Sequence, residues 1–238
     1  IRNSANNDWV ELLQLDGTLT LEDGSASTPA LAFRDDLNTG IFSSAADTFE
    51  IATGGTQRFQ ITSNGTINFN ANARIQNDGI VRSAHGDAST PAYNFLADND
   101  NGMFRATTNQ IGFSTGGSER IRIDSSGRVL IGTTSSQTVD SADCSLQVVG
   151  SNFSNSGFTQ QRFVASVSGP SLLFAKSRSG TIGTQTIVQN GDELGKIRFY
   201  GSDGNDFDNY GAEIKANVDG TPGSNDMPGR LVFSTTAD

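Results

Sequence analysis

A seven-residue string recurs at a fixed distance. Gly24-Ser-Ala-Ser-Thr-Pro-Ala30 returns as Gly86-Asp-Ala-Ser-Thr-Pro-Ala92, an offset of 62 residues (86 − 24), and the match runs on without a gap. In that register Phe33 meets Phe95, Gly40 meets Gly102, Phe42 meets Phe104, and Thr53-Gly54-Gly55 meets Thr115-Gly116-Gly117. Arg58 then meets Arg120, Ile61 meets Ile123 and Gly65 meets Gly127. Where identity fails, apolar character survives: Phe49, Ile51, Phe59, Ile67 and Phe69 stand against Ile111, Phe113, Ile121, Val129 and Ile131. Each copy therefore reads as one structural unit used twice. Units this short stack into an elongated array more readily than they close a single core around a cleft.

Composition points the same way. Only 34% of the 238 residues are hydrophobic and 27 are glycine. A unit of this size buries about 60% of its unfolded surface at best, so each copy needs neighbours along the chain or from other chains. Association of several chains is the expectation. The net charge of −10 argues against nucleic acid and anionic membrane, because no Lys/Arg cluster exists to displace phosphate counterions. No stretch approaches the roughly 20 apolar residues of a membrane span, and no charged-then-apolar signal opens the chain. Cys144 is the sole cysteine, so a disulfide framework within the chain and a multi-cysteine metal site are both excluded.

Period-two alternation recurs while helical spacing is not sustained for three turns, which predicts an all-β chain. In Arg120-Ile-Arg-Ile-Asp124 the isoleucines Ile121 and Ile123 take one side and the charged residues the other; Phe59 and Ile61 follow suit after Arg58. The residues expected to pack inward, in the core or around a three-fold axis, are Phe33, Phe42, Ile51, Phe59, Ile61, Phe95, Phe104, Phe113, Ile121 and Ile123, with the polar positions facing water. Gly40, Gly54, Gly55, Gly65, Gly102, Gly116, Gly117 and Gly127 are expected at turns. The chain divides into an opening segment (1 to 23), repeat one (24 to 70), a connector (71 to 85), repeat two (86 to 133), a second connector (134 to 150) and a C-terminal β module (151 to 238). That module contains the strand-like runs Lys196-Ile-Arg-Phe-Tyr200, Ala212-Glu-Ile-Lys-Ala-Asn-Val218 and Arg230-Leu-Val-Phe-Ser234.

Candidate chemistry is thin. General-base catalysis by His85, the only histidine, would need an oriented partner, and the repeat offset puts Asp23 at the matching place. The acidic strings Asp35-Asp36, Asp98-Asn-Asp-Asn-Gly102 and Asp203-Gly-Asn-Asp-Phe-Asp208 read as turn chemistry. Counting back from Gly102 puts Ala97 at the first ligand position of a calcium loop, where an acid is needed. Asn64-Gly-Thr66 and Asn152-Phe-Ser154 match the glycosylation pattern but read as turns. Arg58 and Arg120 are expected to make a stabilising contact, such as with an acidic residue of another chain. No catalytic residue, cofactor site or metal site is assigned.

The repeated strings carry a resemblance. Gly40-Ile-Phe42 and Gly102-Met-Phe104, followed by Ser114-Thr-Gly-Gly-Ser-Glu-Arg-Ile-Arg-Ile-Asp-Ser-Ser-Gly-Arg-Val-Leu-Ile-Gly-Thr-Thr134, are similar to tail-fibre and appendage proteins of marine tailed phages, especially those infecting cyanobacteria. Leu194-Gly-Lys-Ile-Arg-Phe199 and the run from Val218 to Asp238 resemble the same group. The resemblance implies a β-rich homotrimer on the virion, acting outside the cell, with other tail proteins and a host-surface glycan or protein as partners of the whole fibre. Such fibres often end in an endosialidase-type intramolecular chaperone, and the present chain is expected to be a section of a longer polypeptide. The expected function is that of a structural virion protein supporting host attachment, not an enzyme. The rivals are a polysaccharide-degrading tailspike, which needs a carboxylate pair lining a groove, and a bacterial trimeric adhesin, which needs secretion and anchoring segments.

Overall fold

The computed structural model describes residues 21–70 and 81–237. Most of the opening segment (1–20), most of the first connector (71–80) and Asp238 lie outside the described residues. The chain splits into two compact units, Ile1–Val81 and Arg82–Asp238. The described residues are mostly β-sheet, as the alternation predicts.

In the first unit β1 (Leu31–Phe33), β2 (Asp36–Phe42), β3 (Phe49–Thr53), β4 (Thr56–Ile61) and β5 (Ile67–Phe69) form one antiparallel sheet in chain order. Thr53 pairs with Thr56 across Gly54 and Gly55, whose φ values of 58° and 72° suit the two-residue turn that strand twist favours. Both turn amides are caught by β2: Gly54 N donates to Thr39 Oγ1 (3.1 Å) and Gly55 N to the Asn38 carbonyl (2.8 Å). At the other end Asn64 Oδ1 accepts from Thr66 N (3.1 Å), closing the β4–β5 turn as a turn asparagine does.

In the second unit β6 (Tyr93–Phe95), β7 (Asp98–Phe104), β8 (Ile111–Thr115), β9 (Ser118–Ile123) and β10 (Val129–Ile131) begin and end 62 residues after β1 to β5. The irregularities recur too, at Ala32/Phe33 and Asn94/Phe95 and again at Ile51/Ala52 and Phe113/Ser114. A sixth strand, β11 (Leu146–Val148), then adds in parallel to β10. A single helical turn, α1 (Phe153–Ser156), is capped by the Asn152 side chain, which accepts from Ser154 N and Asn155 N. After a long run without strands, β12 (Glu193–Tyr200), β13 (Tyr210–Val218) and β14 (Gly229–Thr235) make an antiparallel three-stranded sheet.

Three expectations are corrected. Residues 134–150 are more than a connector: the buried Gln147 side chain accepts from Gln137 N (2.8 Å) and donates to Ser136 Oγ (2.9 Å), folding the loop back so that β11 can join the sheet. Gly40 and Gly102 stand inside β2 and β7 rather than at turns. They are needed because the carbonyls of Leu31 and Tyr93 press where a Cβ would stand. The acidic string Asp98 to Gly102 is strand, not turn; its Asp100 carbonyl and Asn101 Oδ1 accept from Gly117 N (3.1 Å) and Gly116 N (2.6 Å).

Candidate functional site

Register decides which side chains share a face, because paired residues point the same way. In the first sheet Leu31, Ile41, Ile51, Phe59 and Phe69 form one row across all five strands. Phe49, Ile61 and Ile67 form a second row on the same side. Phe59 and Phe69 meet edge to face, ring centroids 5.7 Å apart. In the second sheet the corresponding rows are Tyr93, Met103, Phe113, Ile121, Ile131 and Val148, and Ile111, Ile123, Val129 and Leu146. The third sheet aligns Ile197, Ile214 and Phe233, and beside them Gly195, Ala216 and Leu231. Every sheet thus has one almost wholly apolar side. Those sides are partly open: Leu31, Phe49, Phe69, Tyr93, Ile111, Phe113, Ile121, Ile123, Ile197 and Phe233 are all exposed on the single chain.

The opposite sides are closed and polar, against the expectation that polar positions face water. Glu50 is 1% exposed; Gln57 and Gln60 donate to its Oε1 (2.8 Å from Gln60), and Ser44 N donates to Oε2 (2.6 Å). The offset places Glu119 and Arg122 where Gln57 and Gln60 stand, and these two form an ion pair at 2.5 Å, with Arg122 also donating to Gln110 Oε1 (2.8 Å). Asp124 pairs with Arg128 (2.7 Å), which also reaches Asp143 (2.6 Å). Burial works to raise the Asp124 pKa, but the amide and side chain of Arg128 outweigh it and hold the carboxyl below the usual aspartate range.

In the third sheet Glu213, 3% exposed, accepts from Arg198 (2.6 Å) and Lys215 (2.8 Å), and Lys215 and then Arg198 hold its pKa down. Arg198 also lies 4.6 Å from the Tyr210 ring centroid and bonds Asp140 (2.7 Å). Ser141 bonds Asp208 through its amide and hydroxyl (2.8 and 3.0 Å), tying the 134–145 loop to the third sheet.

The residues expected to pack inward therefore fall into three groups. Phe42 and Phe104 are buried within their own sheets, on the polar side, and Gly112 leaves room for the Phe104 ring. Ile51, Phe59 and Ile61, and likewise Phe113, Ile121 and Ile123, share the open apolar sides. Phe33 and Phe95 stand apart beside bulges at 65% and 66% exposure, so their own chain does not cover them.

No catalytic arrangement emerges from the candidates. His85 meets the Arg105 guanidinium, and its carbonyl accepts Arg105 N (2.9 Å). The hollow beside this pair is lined by Tyr93, Met103, Ile111 and Ile123, and so belongs to the apolar side. In the last acidic string Asp203 Oδ1 accepts from the amides of Asn205 (2.8 Å) and Asp206 (3.0 Å), which is turn chemistry as expected. Arg58 and Arg120 donate from Nε to Thr53 and Thr115 Oγ1 (3.1 and 3.0 Å) within their own hairpins. Among the described residues no three His, Cys, Asp or Glu side chains converge to hold a metal ion, and no helix is long and apolar enough to cross a membrane. Comparison with known protein families and with curated proteins finds no match to this chain.

Proposed function

We propose that this chain is a structural section of a phage tail fibre, a homotrimer that supports attachment of the virion to the host surface and performs no chemistry itself. One observation carries the assembly: each sheet closes its polar side with ion pairs and amide bonds and leaves its apolar side open. A lone soluble chain is normally arranged the other way round. Covering a half-exposed Ile or Phe contributes about 1 kcal/mol. Four such positions on the first sheet alone (Leu31, Phe49, Ile67, Phe69), with the part-exposed Ile41, Ile51, Phe59 and Ile61 beside them, repeated in three chains and joined by the second sheet, act against the cost of bringing chains together. The attachment role comes from the resemblance of the repeated strings to phage fibres, and three copies presenting identical surfaces would add weak contacts through effective concentration. The partners are then other tail proteins and, through the whole fibre, a host-surface glycan or protein. Light scattering on the purified chain tests the assembly: three times the single-chain mass of 25.1 kDa is expected, and a stable, folded monomer overturns it.

A further inference from the structure

Between α1 and β12 the chain runs through a stretch that finds little to rest on. Residues 158–176 make no backbone-to-backbone hydrogen bond among the described residues, and ordered loops of this length without structure of their own are uncommon. The stretch is not polar: Phe163 is 93% exposed, Val167 fully so, and Phe158 and Leu173 are open as well. Its far end shows what it fits. The Phe174 ring lies over Gly195, where a Cβ would strike it, at one end of the apolar side of the third sheet. Leu172 and Leu173 share a hollow there with Ile197 and Leu231, whereas Phe199 and Phe233, farther along, have no such cover.

We propose that residues 158–171 of one copy lie across the open apolar side of the β12–β14 sheet of a second copy, beyond the place its own Leu172, Leu173 and Phe174 occupy. This inference rests on the homotrimer reading above. Charge selects the occupant. The arm carries Arg162 and no carboxylate, whereas residues 191–238 hold nine acidic and four basic residues, a net −5 (4 − 9). Arg162 donates only to the Gly169 carbonyl (3.4 Å), so its guanidinium has no carboxylate partner among the described residues. An arm that brings aromatic and β-branched side chains together with unmatched positive charge fits an apolar face on a stretch of chain with net charge −5.

The test replaces Phe163, and in a second variant Val167, by the photo-crosslinking residue p-benzoylphenylalanine in the full chain, assembled from an equal mixture of 15N-labelled and unlabelled protein. Irradiation is expected to give cross-linked peptides of mixed isotope from both variants, joining the arm to residues 194–200 or 229–235. A chain that scatters as a trimer but yields only same-isotope pairs, links elsewhere or no link overturns the arm exchange and leaves the homotrimer standing. A chain that scatters as a monomer overturns both.

Discussion

At the scale of single residues, the second unit carries glycines that differ in how much space surrounds them. A methyl group at Gly102 would strike the Tyr93 carbonyl inside a paired strand, whereas one at Gly127, in the β9–β10 turn, would meet open space and only the strain of a φ of 79°. Gly102→Ala is therefore expected to cost about 3 kcal/mol and Gly127→Ala about 1 kcal/mol. Thermal melts of the two variants check the order, and equal losses would refute it. Ser114 is the opposite case. Its hydroxyl is buried and alone among the described buried side-chain polar atoms in having no hydrogen-bond partner, while Ala52 fills the matching place in the first sheet and is fully buried. Ser114→Ala is expected to raise stability by about 1 kcal/mol, since an unsatisfied polar atom is removed at almost no change in volume. A lower melting temperature would mean that the hydroxyl has a partner in the assembled protein.

At the scale of elements, neighbouring residues of β9 have different duties. Ile123→Asp puts a carboxylate on the open apolar side and is expected to block association while leaving the sheet folded. Arg122→Asp removes the partner of Glu119 and sets like charges together on the closed side, so it is expected to lower the melting temperature of the unassociated chain as well. Scattering and melting curves separate the two; identical behaviour in both would undo the assignment of faces. In the third sheet Glu213 is the pH-sensitive joint. Because Lys215 and Arg198 hold its folded pKa below the unfolded value of about 4.3, its contribution is complete above that pH and is lost as pH falls through the depressed value. Glu213→Gln is expected to flatten the fall of melting temperature between about pH 4.5 and 2.5, and an unchanged slope would show that other carboxylates dominate.

The strands and hairpins behind these predictions were legible in the sequence because alternation and Gly-Gly turns are local signals. The ion pair was not. Strict alternation places Glu119 with Ile121 and Ile123, and it is the bulge at Arg120 that returns Glu119 to the side of Arg122. Burial of the polar side was likewise hidden, since period two separates the faces of a strand without saying which face its own chain will cover. The parallel pairing of β11 with β10 was hidden as well, because it depends on how Gln147 folds the preceding loop, a contact ten residues away.

At the scale of the whole molecule, residues 1–238 are expected to act as a spacer, with the principal receptor specificity elsewhere on the fibre. Exposed differences between the units, such as Asp47 against Asn109, change charge without building the aromatic or basic cluster of a binding hot spot. Assembled 1–238 in excess should therefore fail to slow phage adsorption where full-length fibre slows it, and strong competition by this section alone would move the receptor site into it. Incubation with host envelope polysaccharide is expected to release no reducing ends. Release that vanishes when one acidic residue is replaced would favour the tailspike instead.

The 62-residue duplication also creates a danger of slippage. Two units with the same strand lengths and pairing in one chain allow copies to meet one unit out of step, the first sheet of one against the second sheet of another. The rows differ in a way that penalises this error: bulk is exchanged between adjacent strands, Ile51 beside Phe59 in one sheet and Phe113 beside Ile121 in the other. Only the second sheet, moreover, carries Leu146 and Val148 on an extra strand. A mis-stepped assembly would set ring against ring in one place and leave a void in the next, at a cost of about 1 kcal/mol for each mismatched side chain. In the proposed homotrimer, small exchanges of volume between the duplicates would thus serve as a ruler for the alignment of identical chains.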